Sequence, residues 1–152
     1  MNSKQQRAFS LVELMVVVGA IGILAALAMA SYSKYVMRAR VSALINSAAS
    51  VQVQVEQYFT QNSTLLNFNP SYNTFADPTL VGKLEVQNSI IVIVGTPLVN
   101  QIQIALVPVI QYVPSTTTIT GITWTCRTPS NFFPYVPALC KNACVFGNCL
   151  WG

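Results

Sequence analysis

The sequence predicts an α+β fold. A long N-terminal helix, apolar in its first half and amphipathic in its second, packs on an antiparallel β-sheet, and a disulfide-bounded C-terminal loop follows. Three features carry this reading. First, Leu14 to Ser33 holds no charged side chain. At about 1.5 Å of rise per residue, such a helix reaches about 30 Å, the thickness of one hydrocarbon core. Second, Met37, Val41, Leu44, Ala48, Val51, Val55 and Tyr58 recur at alternating spacings of four and three, the stripe of a helix with one buried face. Third, Val86 to Cys126 is uncharged and rich in Val, Ile and Thr, and all four cysteines fall within its last residue and the tail behind it.

Composition narrows the function classes. The 152 residues are 53% hydrophobic and only 8% charged, which suits a membrane segment plus a modest body with covered faces. The net charge of +4 is thin, because Lys4 and Arg7 sit in the leader. Without them six basic residues face Glu13, Glu56, Asp77 and Glu85, which is no nucleic-acid footprint by itself. There is no histidine, so the usual general base, the commonest zinc ligand and every Ser-His or Cys-His nucleophile are missing. Four scattered acids offer little carboxylate chemistry. The inventory argues against an enzyme and calls for no cofactor or metal.

Along the chain, Met1 to Ala8 is a polar leader with two positive charges. Glu13 is the oddity behind it, a lone carboxylate just inside the apolar start, where it is costly and needs a partner. After Ser33, Lys34, Arg38 and Arg40 flank the span, a solvated ridge that could also meet lipid headgroups, an acidic neighbour or DNA. Val51-Gln-Val-Gln-Val-Glu alternates at period two and would also suit a strand. The uninterrupted stripe and the absence of Gly and Pro favour one helix of about 50 residues. Gln61 to Gln87 reads as an ordered surface loop with Asn-Pro, Asp-Pro and Val-Gly pairs.

Ser89 to Gly95 is a buried-strand run, Thr96-Pro97 suits a turn, and Asn100 to Leu106 alternates like a half-covered strand. Val109 to Val113 continues it or forms a further strand beyond Pro108, which belongs at an edge or bulge. In Thr116 to Thr125 the apolar parity shifts between Ile119 and Ile122, a slip that a bulge at Gly121 accommodates. Pro97, Asn100, Gln101, Gln103 and Pro108 interrupt every apolar window here, so no second membrane span is expected.

Cys126, Cys140, Cys144 and Cys149 form an even, clustered set beyond a membrane signal, which reads as disulfides made outside the cytoplasm. Three connectivities exist on paper. Cys126–Cys140 with Cys144–Cys149 gives two local loops without crossing and is the choice here. Zinc is disfavoured, since only the later spacings fall in finger range.

Ala8 to Tyr35 resembles the N-terminus of type IV prepilins: a basic leader, a small residue, Phe9, Ser10-Leu-Val-Glu13-Leu-Met15, and an apolar run containing Gly22. Trp124-Thr-Cys126 and Pro134-Tyr-Val-Pro137-Ala-Leu-Cys140 are similar to the disulfide-bounded loop of type IVa pilins. The resemblance implies cleavage by a prepilin peptidase between Ala8 and Phe9, N-methylation of Phe9, and residence in the bacterial inner membrane. An assembly platform there would then feed a helical homo-oligomer, a surface filament serving adhesion, motility or DNA uptake. It implies that Glu13 pairs with the N-terminal amine of a neighbouring subunit; the chain's own amine, four residues back, is the rival partner. Two positions depart from the family pattern: Ala8 stands where most relatives have Gly, and Ala30 where many have a helix-kinking Pro.

The expected organisation is a leader over 1–8, a membrane and filament-core helix over 9–33 and its amphipathic half over 34–60. A loop over 61–87 and a β-sheet head over 88–152, lying periplasmic and then extracellular, complete it. The alternatives are a minor pilin, a type II secretion pseudopilin, a DNA-binding competence pilin, and a secreted protein cut after Ala28-Met29-Ala30.

Overall fold

Helix α1 spans Leu11–Asn46 and α2 spans Ala49–Asn62 in the computed structural model, which describes residues 9–71, 77–112 and 119–144. The chain divides into two units, 1–35 and 36–152, each taken here by itself. The second unit, the head, carries a five-stranded sheet in the order β1-β2-β3-β4-β5: Val81–Gln87, Ile90–Gly95, Gln103–Tyr112, Ile119–Thr128 and Asn142–Ala143.

The helical stripe does what its spacing requires. Val41, Leu44, Ala48, Val51 and Val55 are buried and join Ile91, Ile93, Ile102, Ile104 and Leu106 in one core, with Met37 packed at its margin. Tyr58 stacks obliquely on Phe68 at 4.7 Å and donates its hydroxyl to Leu66 O at 3.0 Å. The strand-like alternation at Val51 to Glu56 resolves as helix: Val51 and Val55 are buried while Val53 is 51% exposed. A strand would put all three on one face.

The long helix runs from Leu11 to Asn62 as expected, with one irregular turn at Ser47-Ala48 that divides α1 from α2. Ser47 Oγ donates to Leu44 O at 2.6 Å, and Ala48 N and Val51 N donate three residues back, to Ile45 O at 3.1 Å and Ala48 O at 3.0 Å. Such tightening is the 3₁₀ habit, and a serine bonding back to the helix carbonyls is a recognised cause of it.

The stretch read as loop to Gln87 also ends early, because β1 occupies Val81–Gln87. Before it, Asp77 Oδ1 accepts from the side chain and the backbone N of Thr79, and these bonds hold its carboxyl below the usual aspartate range. Strands β1 and β2 join through Asn88 and Ser89, both at positive φ (49° and 65°), the two-residue turn whose twist matches paired strands. Buried Ser89 is satisfied by Leu65 O at 2.6 Å.

Strands β1 to β4 are antiparallel neighbours, but β5 runs parallel to β4, pairing Arg127 with Asn142 and Thr128 with Ala143. The sheet is therefore mixed at its end rather than wholly antiparallel. Pro108 sits inside one continuous β3, opposite Trp124. Its other side is free to lack a donor, because β2 pairs with β3 only as far as Leu106. The register slips between Gln111 and Tyr112, opposite Gly121 (φ 156°) and Ile119, which is the bulge that the parity shift anticipates. On the second sheet face, Val92 and Ala105 are covered by Cys144 of the tail.

Gly95 ends β2 where no side chain fits. A Cβ there would lie 2.2 Å from Val99 Cγ2, 3.3 Å from Ile102 Cγ2 and 3.4 Å from Leu44 Cδ2. Gly95→Ala is expected to lower stability by about 1–3 kcal/mol through overpacking, read from the denaturation midpoint. Adding Val99→Ala should recover part of that loss.

Candidate assembly segment and the disulfide-bound head

In the first unit, helix α1 begins with Leu14 N donating to Ser10 O at 3.2 Å. Glu13 stands in the first turn, where exposed N–H groups favour an anion. Phe9 precedes the helix and is 79% exposed. An intramolecular Phe9–Glu13 pair would therefore not inherit regular helical i, i+4 geometry, and it would need a free amine on Phe9. Ala8 lies outside the described residues. Every described side chain from Phe9 to Tyr35 is exposed. The helix is long and apolar enough to cross a membrane, and its most apolar window has 0% of its residues buried. Apolar area of this extent is unusual on a soluble monomer and marks a surface that lipid or protein covers.

In the second unit the sequence-predicted cysteines meet. Cys126, at the end of the core of β4, bonds to Cys140, which closes the 3₁₀ turn Ala138–Cys140; both are buried. Cys144 is not a free thiol. Cys149, and with it the proposed Cys144–Cys149 bridge, lies outside the described residues. Around the bond, Asn142 Nδ2 donates to Cys126 O and Leu139 O, each at 3.2 Å. Thr128, fully buried, donates Oγ1 to Gln103 O at 2.8 Å.

Three long-range ties from the helices to the rest of the second unit were not legible in the sequence. Trp124 Nε1 donates to Glu56 Oε1 at 2.9 Å, Arg38 Nε to Pro134 O at 3.0 Å, and Arg40 Nη1 to Leu98 O at 3.2 Å. Two cations read as a solvated ridge thus clamp the helix to the head. A cavity of about 470 Å³ beside the disulfide is lined by Ser42, Asn46, Trp124, Leu139 and Asn142 among others, with no carboxylate or amine. No group of three or more His, Cys, Asp or Glu gathers among the described residues.

The described chain thus combines an exposed apolar helix at the N-terminus with a small, disulfide-braced α+β head. Residues 3–29 match the prokaryotic N-terminal methylation motif. The chain is 33% identical over 90 residues to a fimbrial protein of Neisseria meningitidis, covering 57% of this chain and 53% of that one. It is 33% identical over 91 residues to a type IV major pilin of Neisseria gonorrhoeae, covering 57% and 55%. It is also 36% identical over 61 residues to a probable minor fimbrial protein of Dichelobacter nodosus, covering 40% and 38%. The matched stretch spans about half the length of the first two relatives. Together the motif and these relatives support a type IV pilin.

Proposed function

We propose that this chain is a structural subunit of a type IV pilus, without enzymatic activity. A prepilin peptidase removes 1–8, the amine of Phe9 is methylated, and the apolar helix holds the subunit in the bacterial inner membrane. An assembly platform then transfers subunits into a helical filament, the apolar helices forming its core and the heads its surface. The observation that carries this reading is a methylation motif over residues 3–29 that leads into a helix whose described side chains to Tyr35 are all exposed. Lipid and then neighbouring copies give that surface two successive partners.

Glu13 supplies register in this scheme. Its charge costs a few kcal/mol in lipid, and the amine of an adjacent subunit neutralises it in the filament. One buried polar pair fixes alignment more than it adds stability. The relatives include proteins called major and minor, so a minor pilin remains the second reading. Mass spectrometry of the mature chain decides the first step. A chain starting at Phe9 with one added methyl group is expected; a chain starting at Ser31 would sink the proposal. Electron microscopy of cells lacking the chain then separates the roles, since loss of a major subunit abolishes filaments outright.

A further inference from the structure

A second cavity of about 400 Å³ is lined by Arg38, Ser42, Val136, Pro137, Ala138 and Lys141. Arg38 comes from α1 and Lys141 from the junction of the Ala138–Cys140 turn and β5, so the fold brings together two cations far apart in sequence. Arg38 is oriented: its Nε is committed to Pro134 O at 3.0 Å. Its two terminal nitrogens keep a planar pair of donors, a geometry that matches two oxygens of one phosphate. Lys141 adds a compact ammonium and Ser42 a hydroxyl. No carboxylate lines the cavity, and the single ion pair among the described residues joins Lys83 to Glu85 on β1. Val136, Pro137 and Ala138 supply an apolar wall, which strengthens an ionic contact relative to open water.

We propose that this cavity binds a phosphate-type oxyanion, either the headgroup phosphate of an anionic phospholipid or free inorganic phosphate. Three kinds of donor line it, the Arg38 fork, the Lys141 ammonium and the Ser42 hydroxyl, enough to meet the two non-ester oxygens of a headgroup phosphodiester or the oxygens of inorganic phosphate. Arg38 follows the last residue of the uncharged run, Ser33, by five positions, so a headgroup is within ordinary reach of a basic side chain that flanks a span. Arg40 is the internal control. Its Nη1 donates to Leu98 O and it does not line the cavity.

The test uses the full chain in detergent micelles, titrated with inorganic phosphate and, separately, with phosphatidylglycerol or phosphatidylcholine added to the micelles. Phosphorus NMR and calorimetry read binding. Arg38→Gln and Lys141→Gln are each expected to weaken it about fivefold, and Arg40→Gln to leave it unchanged. Rising salt should weaken it as well. Lys141 is exposed, so Lys141→Gln tests the site without disturbing the core, and an unchanged near-UV circular dichroism spectrum verifies the fold. A preference for phosphatidylglycerol over phosphatidylcholine assigns the lipid source; phosphate binding without that preference assigns the soluble one. The lipid source rests on the membrane reading proposed above and the phosphate source does not, so the two can fail separately. Absence of saturable binding to either probe overturns the proposal, as does wild-type binding by both Arg38→Gln and Lys141→Gln.

Discussion

Glu13→Ala is expected to leave the precursor in the membrane and to reduce filaments below detection. The two halves of that outcome have opposite physical origins. In lipid the carboxylate is a cost of a few kcal/mol at most depths, eased near the helix N-terminus, so its removal does not impair insertion. In the filament core the same carboxylate would face a neighbour's methylated amine. Removing one partner of a buried pair costs about 3–5 kcal/mol, because the other charge is left uncompensated. That is a factor of some hundreds or more for each subunit added, and every addition repeats it.

Glu13→Gln separates charge from shape. It keeps the length and the hydrogen-bonding oxygen but loses the ion pair, so a register role predicts filaments scarce or misordered in this variant as well. The measurements are the membrane fraction, the mass of the mature chain and negative-stain electron microscopy. Normal yield and length from Glu13→Ala, with cleavage at Phe9 intact, would remove Glu13 from the mechanism. A mature mass showing failed cleavage would point instead to a defect in processing.

The parts of the fold that sequence disclosed are those where one residue type repeats at a fixed period. Met37 to Tyr58 could be read because the stripe positions as far as Val55 meet the same core and Tyr58 extends them onto Phe68. The bulge at Gly121 could be read because the parity of Ile119 and Ile122 cannot be kept without it. Strand β1 was hidden by its own irregularity. Its register shifts between Val81 and Lys83, so buried Val81 falls out of phase with buried Leu84 and Val86, and its exposed face carries the Lys83–Glu85 ion pair. The irregular turn at Ser47 was hidden because a serine is unremarkable in a helix until its hydroxyl turns back on Leu44 O.

Long-range ties leave no periodic trace at all. Arg38 meets Pro134 across 96 positions and Trp124 meets Glu56 across 68. The parallel β5 is two residues long, shorter than any alternation could reveal. Candidate-site residues divide the same way. Glu13 was conspicuous because a charge in an apolar run is a local anomaly. Lys141 was not, since its significance arises only when the disulfide-bound turn carries it to the cavity that Arg38 lines.

Replacing Cys126 and Cys140 together by alanine is expected to cost the head about 3 kcal/mol, because the bridge closes a loop of about 15 residues and its loss frees that loop in the unfolded chain. The native state adds a reason for the loss to be uneven. Residues 129–140 hold two short 3₁₀ turns, Ser130–Phe132 and Ala138–Cys140, and no strand of their own. Their attachment comes from the bridge, from Asn142 Nδ2 on Cys126 O and Leu139 O, from Arg38 Nε on Pro134 O, from Val136 and its aromatic neighbours against the core, and from the two-residue β5. Strands β1 to β3, by contrast, sit on the buried helix stripe and do not use the bridge. Amide exchange is therefore expected to rise most at Asn142 and Cys144, whose N donates to Thr128 O at 3.3 Å, and least at Ile93 and Ile104. Equal acceleration across the head would mean that the loop and the sheet unfold as one unit, and that the bridge braces the whole head rather than its C-terminal loop.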